Sequence, residues 1–250
     1  DDAYTPDDIG GKRPDRCSIV YSQRCREAYR DVPVVIGGIE ASLRRISHYD
    51  YWQDKVRRSI LADAKADLLL FGNAERAIVE VAHRLSIGED ISTINDIRGT
   101  AFCIDEIPDD WQVIDSTNVD KPGRLERRIN PYEYSQNTGC DTKEENTEKN
   151  SVTVSFSDKH QRVQAKLKGR MNTVIRMPSF NDVSRDPVLY AHANRVLHLE
   201  TNPGNARPLV QNQGGQKIWF NPPPIPLTTE EMDYIFGLEY ARVPHPKYQG

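Results

Sequence analysis

Two apolar runs, each stopped by glycine, hold the residues best placed to do chemistry. Val32-Pro33-Val34-Val35-Ile36 runs into Gly37-Gly38, and Asp67-Leu68-Leu69-Leu70-Phe71 runs into Gly72-Asn73. An uninterrupted apolar run ending in glycine predicts a strand buried on both faces, as in a parallel sheet. Ligands of an open α/β sheet bind beyond the carboxyl ends of its strands, where both loops fall. Glycine lets backbone amides approach a ligand, and the start of a following helix favours negative charge. Gly37, Gly38, Asn73 and Glu75 are therefore candidate ligand-binding residues, suited to a phosphate-bearing or nucleotide ligand. Spacing alone supports tight turns with no ligand equally well, since neither loop carries a Walker motif or a full dinucleotide fingerprint.

Other groupings point to less. His48 stands two residues before Asp50 in His48-Tyr49-Asp50-Tyr51-Trp52, a spacing open to metal binding or acid–base work. The favoured reading is structural: a lead-in to a helix, with Asp50 capping and Trp52 packed into the core. Arginines gather as Arg24, Arg26 and Arg30, as Arg44 and Arg45, and as Arg57 and Arg58, and such groups could touch phosphate or nucleic acid. Glu27, Asp31, Glu40, Asp54 and Asp63 lie close by, so local ion pairs on solvated helix faces account for them better. The histidines are scattered and no serine sits in a strand–turn–helix elbow, so neither a zinc helix nor a hydrolase triad has support. Cys17, Cys25, Cys103 and Cys140 lack the close spacing of a zinc or iron–sulfur knuckle. They are expected to be reduced thiols in a cytoplasmic protein. No catalytic residue and no metal ligand is assigned.

The elements that must position these residues follow from periodicity. A helix rich in arginine is predicted over 16–30. A second is predicted from Trp52, Val56 and Ile60 at i, i+4 and i+8, and a third over 74–85, with Ile78, Val81, Ala82 and Leu85 on one stripe and Gly88 past its end. Two strand–loop–helix units in tandem predict an α/β fold with parallel strands. Two strands fall short of the ~4–6 of an ordinary sheet, so either later segments complete it or its beginning precedes Asp1. Further strands are expected at 100–104, 111–115 and 172–177. Between them, 130–170 is poor in aliphatic residues and 141–150 has no apolar residue at all, which predicts a solvated, mobile insert. Asp186-Pro187 opens a helix to about Leu199, with Leu189, Ala193, Val196 and Leu197 on one face. A hairpin is expected around Gly214-Gly215. Asn221-Pro222-Pro223-Pro224-Ile225-Pro226 must be extended. Thr228 with Glu231 makes a capping box for a helix through Phe236, closed by Gly237, and 243–250 is again extended.

Composition sets the outer bounds. At 250 residues the chain is one large domain or two small ones. With 33 Lys+Arg against 37 Asp+Glu the net charge is −4, which disfavours nucleic acid as a partner. No apolar run approaches the ~18 residues of a membrane span. The polar opening Asp1-Asp2-Ala3-Tyr4 is no signal peptide, and with no initiator Met the start is expected to be a processing boundary or one introduced for expression.

A resemblance adds to this reading. The runs at 12–16, 32–51 (VPVVIGGIEASLRRISHYDY), 55–61 and 66–85 (ADLLLFGNAERAIVEVAHRL) look like YgiQ-type radical SAM proteins. The later runs at 186–192, 202–211, 221–232 and 241–248 resemble the same family, so the likeness covers nearly everything except about 105–170. The resemblance implies a radical S-adenosylmethionine enzyme of unknown substrate, with a [4Fe–4S] cluster held by a CxxxCxxC loop. That loop would lie beyond residue 250, and none of the four cysteines matches it. The family's front portion resembles a cobalamin-binding-like α/β module. In such modules one loop reads GG, a hydrophobic or acidic residue, then A-S; here it is Gly37-Gly38-Ile39-Glu40-Ala41-Ser42, which adds Glu40 to the candidate cofactor-binding residues. The second loop carries G-E-G-E in such modules but Gly72-Asn73-Ala74-Glu75 here, a departure at two of four positions, so cobalamin is not carried over.

The fold class expected is thus α/β: a partial doubly wound, cobalamin-binding-like parallel sheet followed by an irregular α+β connector. The expected division is a partial Rossmann-like module at 1–104, a flexible insert at 105–170, and a linker at 171–250 leading to a downstream radical SAM barrel. The leading functional reading is the front portion of a radical SAM enzyme, silent alone, with S-adenosylmethionine and the [4Fe–4S] cluster belonging to the longer protein. The alternative is a stand-alone, non-catalytic module for a phosphate or nucleotide ligand. A partial sheet leaves an unpaired strand edge, which predicts a marginally stable chain.

Overall fold

The computed structural model describes residues 5–124 and 172–239, together with Val243. In chain order these form α1 (Cys17–Ala28), β1 (Val35–Ile36), α2 (Gly38–Leu43), β2 (His48–Asp50), β3 (Lys55–Arg57), α3 (Ile60–Ala64), β4 (Leu68–Leu70) and α4 (Glu75–Ser86). There follow β5 (Thr100–Ile104), β6 (Gln112–Asp115), β7 (Thr173–Arg176), α5 (Phe180–Val183), α6 (Pro187–Leu199), β8 (Leu209–Asn212), β9 (Lys217–Phe220) and α7 (Thr229–Gly237). The 130–170 stretch, Cys140 and most of 241–250 lie outside the described residues.

The fold is α/β. The two glycine-stopped runs form the parallel pair β1 and β4, with Val35 opposite Leu68 and Ile36 opposite Leu69. Later segments complete the sheet, in the order β1-β4-β5-β9-β8-β7-β6. The pairs β6–β7 and β7–β8 are also parallel, whereas β4–β5, β5–β9 and β8–β9 are antiparallel. β1 is one edge of the sheet.

Successive side chains of a strand point to opposite faces, and here both faces are covered. Leu69, Ala101, Ile175, Leu209, Ile218 and Phe220 pack on one face with Ala41, Ile60, Leu61, Val183, Ala193 and Val196 from α2, α3, α5 and α6. Leu68 and Leu70 pack on the other with Ala77 and Val81 of α4. Farther along that second face, Val174, Val210 and Trp219 are covered by Ile107 and Trp111, and the Trp111 ring meets Trp219 edge-on at 4.8 Å. Double coverage explains the unbroken apolar run at 68–71, because neither face of β4 needs a polar residue.

Local signals set the helix starts. Asp186 accepts from the Val188 amide at 2.8 Å ahead of Pro187, and the capping box of Thr228 and Glu231 forms as expected. The hairpin closes at Gly214-Gly215, with Asn212 opposite Lys217. Two expectations need correction. The spacing of Trp52, Val56 and Ile60 does not make a helix: β2 and β3 form an antiparallel ribbon, with His48 opposite Arg57. Asp50 is the cause. Its carboxylate accepts from the Trp52 and Gln53 amides and from Arg57, which turns the chain before a helix can propagate. Trp52 is accordingly 60% exposed rather than packed in the core. On α4 the buried stripe is Ala77 and Val81, while Ile78 faces solvent.

Candidate functional site

The strand pairing brings the two glycine loops together. β1 and β4 run parallel, so both loops leave the same end of the sheet. The Gly72 amide donates to Ser42 Oγ at 3.4 Å, joining the β4 loop to α2. Gly38 needs its glycine because φ is +78°, and the space a Cβ would take is open, so the constraint is conformational and not steric. Gly37 is extended and backs onto Leu70.

A strap closes over the other loop. The extended stretch 221–226 crosses Gly72, where a Cβ would stand 3.2 Å from Pro224, and Gly99, where it would stand 3.0 Å from Pro224 and from the Phe71 carbonyl. Prolines have no N–H to give, so the strap is fastened through its carbonyls. Gly99 donates to Pro222 O at 2.8 Å, Arg98 to Pro223 O at 3.0 Å, and Arg76 to Ile225 O at 2.9 Å. The close approach at Gly72 is therefore to the proline strap. Spacing gave no sign of it, because the two partners are about 150 residues apart.

The remaining candidate residues differ in availability. Glu40 is engaged: Oε1 accepts from Arg44 at 2.7 Å and Oε2 from the Ser18 hydroxyl at 2.5 Å, which fastens α2 to α1. Asn73 is exposed and lines a cavity of about 380 Å³ with Arg76, Ala77, Arg98, Pro224 and Leu227. Glu75 opens α4 with Oε2 buried and without a hydrogen-bond partner among the described residues. A smaller cavity of about 240 Å³ lies between Ser42, Arg45, Phe71, Gly72, Arg207 and Phe220.

His48 and Asp50 do not make an acid–base pair. Asp50 accepts from Arg16 at 2.5 Å and Arg57 at 2.7 Å, and these guanidinium groups hold its carboxyl well below the usual range. Burial, with Arg44 beside it, lowers the His48 imidazole. The expected local pairs form between Arg24 and Glu27, Arg44 and Glu40, and Arg58 and Asp63, but Arg26 reaches Asp67 across 41 residues.

Folding also assembles a Ser–His–Asp constellation that no sequence motif announced. His192 Nε2 lies 3.1 Å from Ser116 Oγ, and its Nδ1 lies 3.7 Å from Asp120. Arg195 Nε lies 2.9 Å from the same carboxylate. Ser116, Asp120 and His192 are 2%, 6% and 3% exposed, so no substrate carbonyl reaches the serine, and the group braces α6 against the turn after β6.

Comparison with known proteins gives a consistent result. A family model for the radical SAM N-terminal region matches residues 1–250. A UPF0313 protein of Pseudomonas putida is 62% identical over 252 residues, covering 99% of this chain and 32% of its own length. One from Pseudomonas aeruginosa is 62% identical over 249 residues, and one from Vibrio cholerae 61% over 249, with 33% and 30% of their lengths covered. The chain thus spans about a third of the length of the curated relatives it matches. No solved structure matches it.

Proposed function

Because this chain belongs to the radical SAM N-terminal family, we propose that it is the front portion of a [4Fe–4S]-dependent S-adenosylmethionine enzyme of unknown substrate, and that alone it is catalytically silent. The observation that carries this reading is the family match along the whole chain in relatives about three times as long. The described residues do not fit the cluster. Cys17 and Cys25 sit eight residues apart on α1, a rise of about 12 Å, and Cys17 Sγ donates to the Pro14 carbonyl at 2.9 Å. Cys103 stands on β5, and no group of three or more His, Cys, Asp or Glu among the described residues is set to hold a metal. No chemical step is assigned to this chain.

The remainder of the longer polypeptide, the radical SAM barrel in this reading, is the proposed partner. Its docking is supported by a groove of about 640 Å³ between α4 and α7, lined by Ile78, Val79, Tyr234, Ile235 and Leu238. Val79 and Tyr234 are 68% and 72% exposed, and Glu75, Arg76, Glu80, Glu230 and Glu231 border them, a mixed surface that supports docking there. Anaerobic reconstitution with iron and sulfide, run on this chain beside the full-length Pseudomonas aeruginosa relative, tests the proposal. Only the longer protein should gain the charge-transfer absorbance of a cluster. Iron–sulfide absorbance in this chain alone would overturn the reading.

A second reading, a non-catalytic module for a phosphate or nucleotide ligand, takes Gly37, Gly38, Asn73 and Glu75 as its ligand-facing residues. It is supported by the open space over Gly38. Nucleotide released from the purified protein on denaturation is its expected signature.

A further inference from the structure

The 240 Å³ cavity beside Gly72 holds a charge that the described fold does not neutralise. Arg45 follows α2 and lays its guanidinium over the Phe71 ring, 4.8 Å from the centroid. One of its terminal nitrogens donates to the Ser42 carbonyl. Its Nε is buried without a hydrogen-bond partner, and Arg45 forms no ion pair among the described residues. The cavity's other charged residues cancel. Glu200 accepts from the Arg207 amide at 2.7 Å and from its guanidinium at 2.5 Å, which uses both carboxylate oxygens. One uncompensated positive charge is left against walls formed by Phe71, Leu197, Leu209 and Phe220.

A half-buried guanidinium with no carboxylate partner among the described residues is a receptor for an anion, which reaches it at a terminal nitrogen because Nε has no open surface. Ser42 adds a donor, because its oxygen accepts from the Gly72 amide and its own O–H stays available. We propose that this cavity binds a small organic anion, a carboxylate or phosphate monoester whose head meets Arg45 and Ser42 and whose apolar body lies against Phe71 and Phe220. The site opens at the carboxyl end of β4, where an α/β sheet takes its ligands. The inference concerns this chain alone and does not rest on the cluster chemistry of the longer protein.

The test is a titration of the 250-residue protein with phenyl phosphate, benzoate and inorganic phosphate, followed by NMR at the Arg45 Nε–H and the Gly72 amide. Saturable shifts at both groups are expected with the two aryl anions. Inorganic phosphate, which lacks the apolar body, should bind at least tenfold more weakly. The tighter of the two aryl anions identifies the head group as phosphate or carboxylate. Arg45→Gln should weaken binding tenfold or more, and Arg45→Lys should restore part of it. Arg58→Gln removes a surface charge outside the cavity and should leave affinity unchanged. The proposal is overturned by the absence of saturable shifts with every anion, by equal affinity in Arg45→Gln, or by an equal loss in Arg58→Gln. Should Arg45→Gln fail to fold, the Nε–H response of the unaltered protein decides the question.

Discussion

At the scale of single residues, the glycines separate into those that serve the backbone and those that serve packing. Gly38, Gly72 and Gly99 all take positive φ, so each alanine replacement costs about 1–2 kcal/mol in conformation. At Gly38 that is the whole cost, since the space is open. At Gly72 and Gly99 the new methyl also meets Pro224, and at Gly99 the Phe71 carbonyl as well. Denaturant midpoints should therefore fall in the order Gly38→Ala least, Gly72→Ala more, Gly99→Ala most. Asp50 makes a second prediction. Its side chain is 6% exposed and bound by two arginines at 23% and 21%. Asp50→Asn should cost about 2–3 kcal/mol, short of the ~3–5 of a fully buried pair because the arginines keep some solvent. Its folded pKa lies below the unfolded value of ~3.9. The stabilisation is thus complete above about pH 5 and is lost as pH falls toward the folded value. Urea unfolding of the two proteins should show a constant gap from pH 5 to 8 that narrows below about pH 4.

At the scale of elements, the hairpin is joined to the early segment by glutamines. Gln213 Oε1 accepts from the Ser59 amide at 3.0 Å and the Ser47 hydroxyl at 3.2 Å, and Gln211 Oε1 accepts from the Ser47 amide at 3.0 Å. Gln213 donates to Gln211 at 2.7 Å, and Gln211 donates to the Pro178 carbonyl at 2.9 Å. Both are at most 1% exposed, so their polar atoms are tolerable only because they are paired. Gln213→Leu strands the Ser59 amide and the Ser47 hydroxyl and should cost about 2–6 kcal/mol at ~1–3 per orphaned group. The unfolding midpoint reads this directly. Helix α7 depends on a surface contact instead. Glu231 caps it and also grips Arg76 of α4, and these partners draw its carboxyl down to about 2. Above pH 5 the grip is complete, and it fades as pH falls from ~4.5 toward 2, so acid should release α7 before the sheet unfolds. Faster amide exchange in 229–237 than in 68–70 at pH 3 is the expected result.

At the scale of the whole molecule, one seven-stranded sheet joins residues from 35 to 220. The contact that makes it continuous is β5 against β9, with Ala101 opposite Phe220 and Ile104 opposite Lys217. The fold leaves β1 as an edge and leaves Ile78, Val79 and Tyr234 exposed between α4 and α7. If the remainder of the longer protein docks on that face, amides at 75–86 and 229–237 should exchange more slowly in a full-length relative than in this chain. Equal exchange in both would place the docking surface elsewhere. Val79→Glu and Tyr234→Glu, both exposed, should leave this chain's unfolding within about 0.5 kcal/mol of the original while lowering the protection of α4 and α7 in the full-length protein.

Whatever rests on neighbours along the chain was readable from residue order. The apolar runs ending at Gly37 and Gly72, the Asp186-Pro187 helix start, the capping box at Thr228 and the hairpin at Gly214-Gly215 all depend on residues within a few positions. For that reason they were legible without coordinates. The family, too, was legible, from long runs at many separate positions. Tertiary structure decided what depends on distant partners. Trp52 lies outside the core because Asp50, held by Arg16 34 residues away, overrules the helical spacing. The proline strap over Gly72, the Ser116–Asp120–His192 group and the cavity around Arg45 each join segments more than 70 residues apart or leave a charge without its expected local pair. Periodicity and propensity report only on residues that share a turn or a strand. Which side of the sheet a loop returns to, and so which charges meet, is set by the pairing order β1-β4-β5-β9-β8-β7-β6 and by the burial that order makes possible.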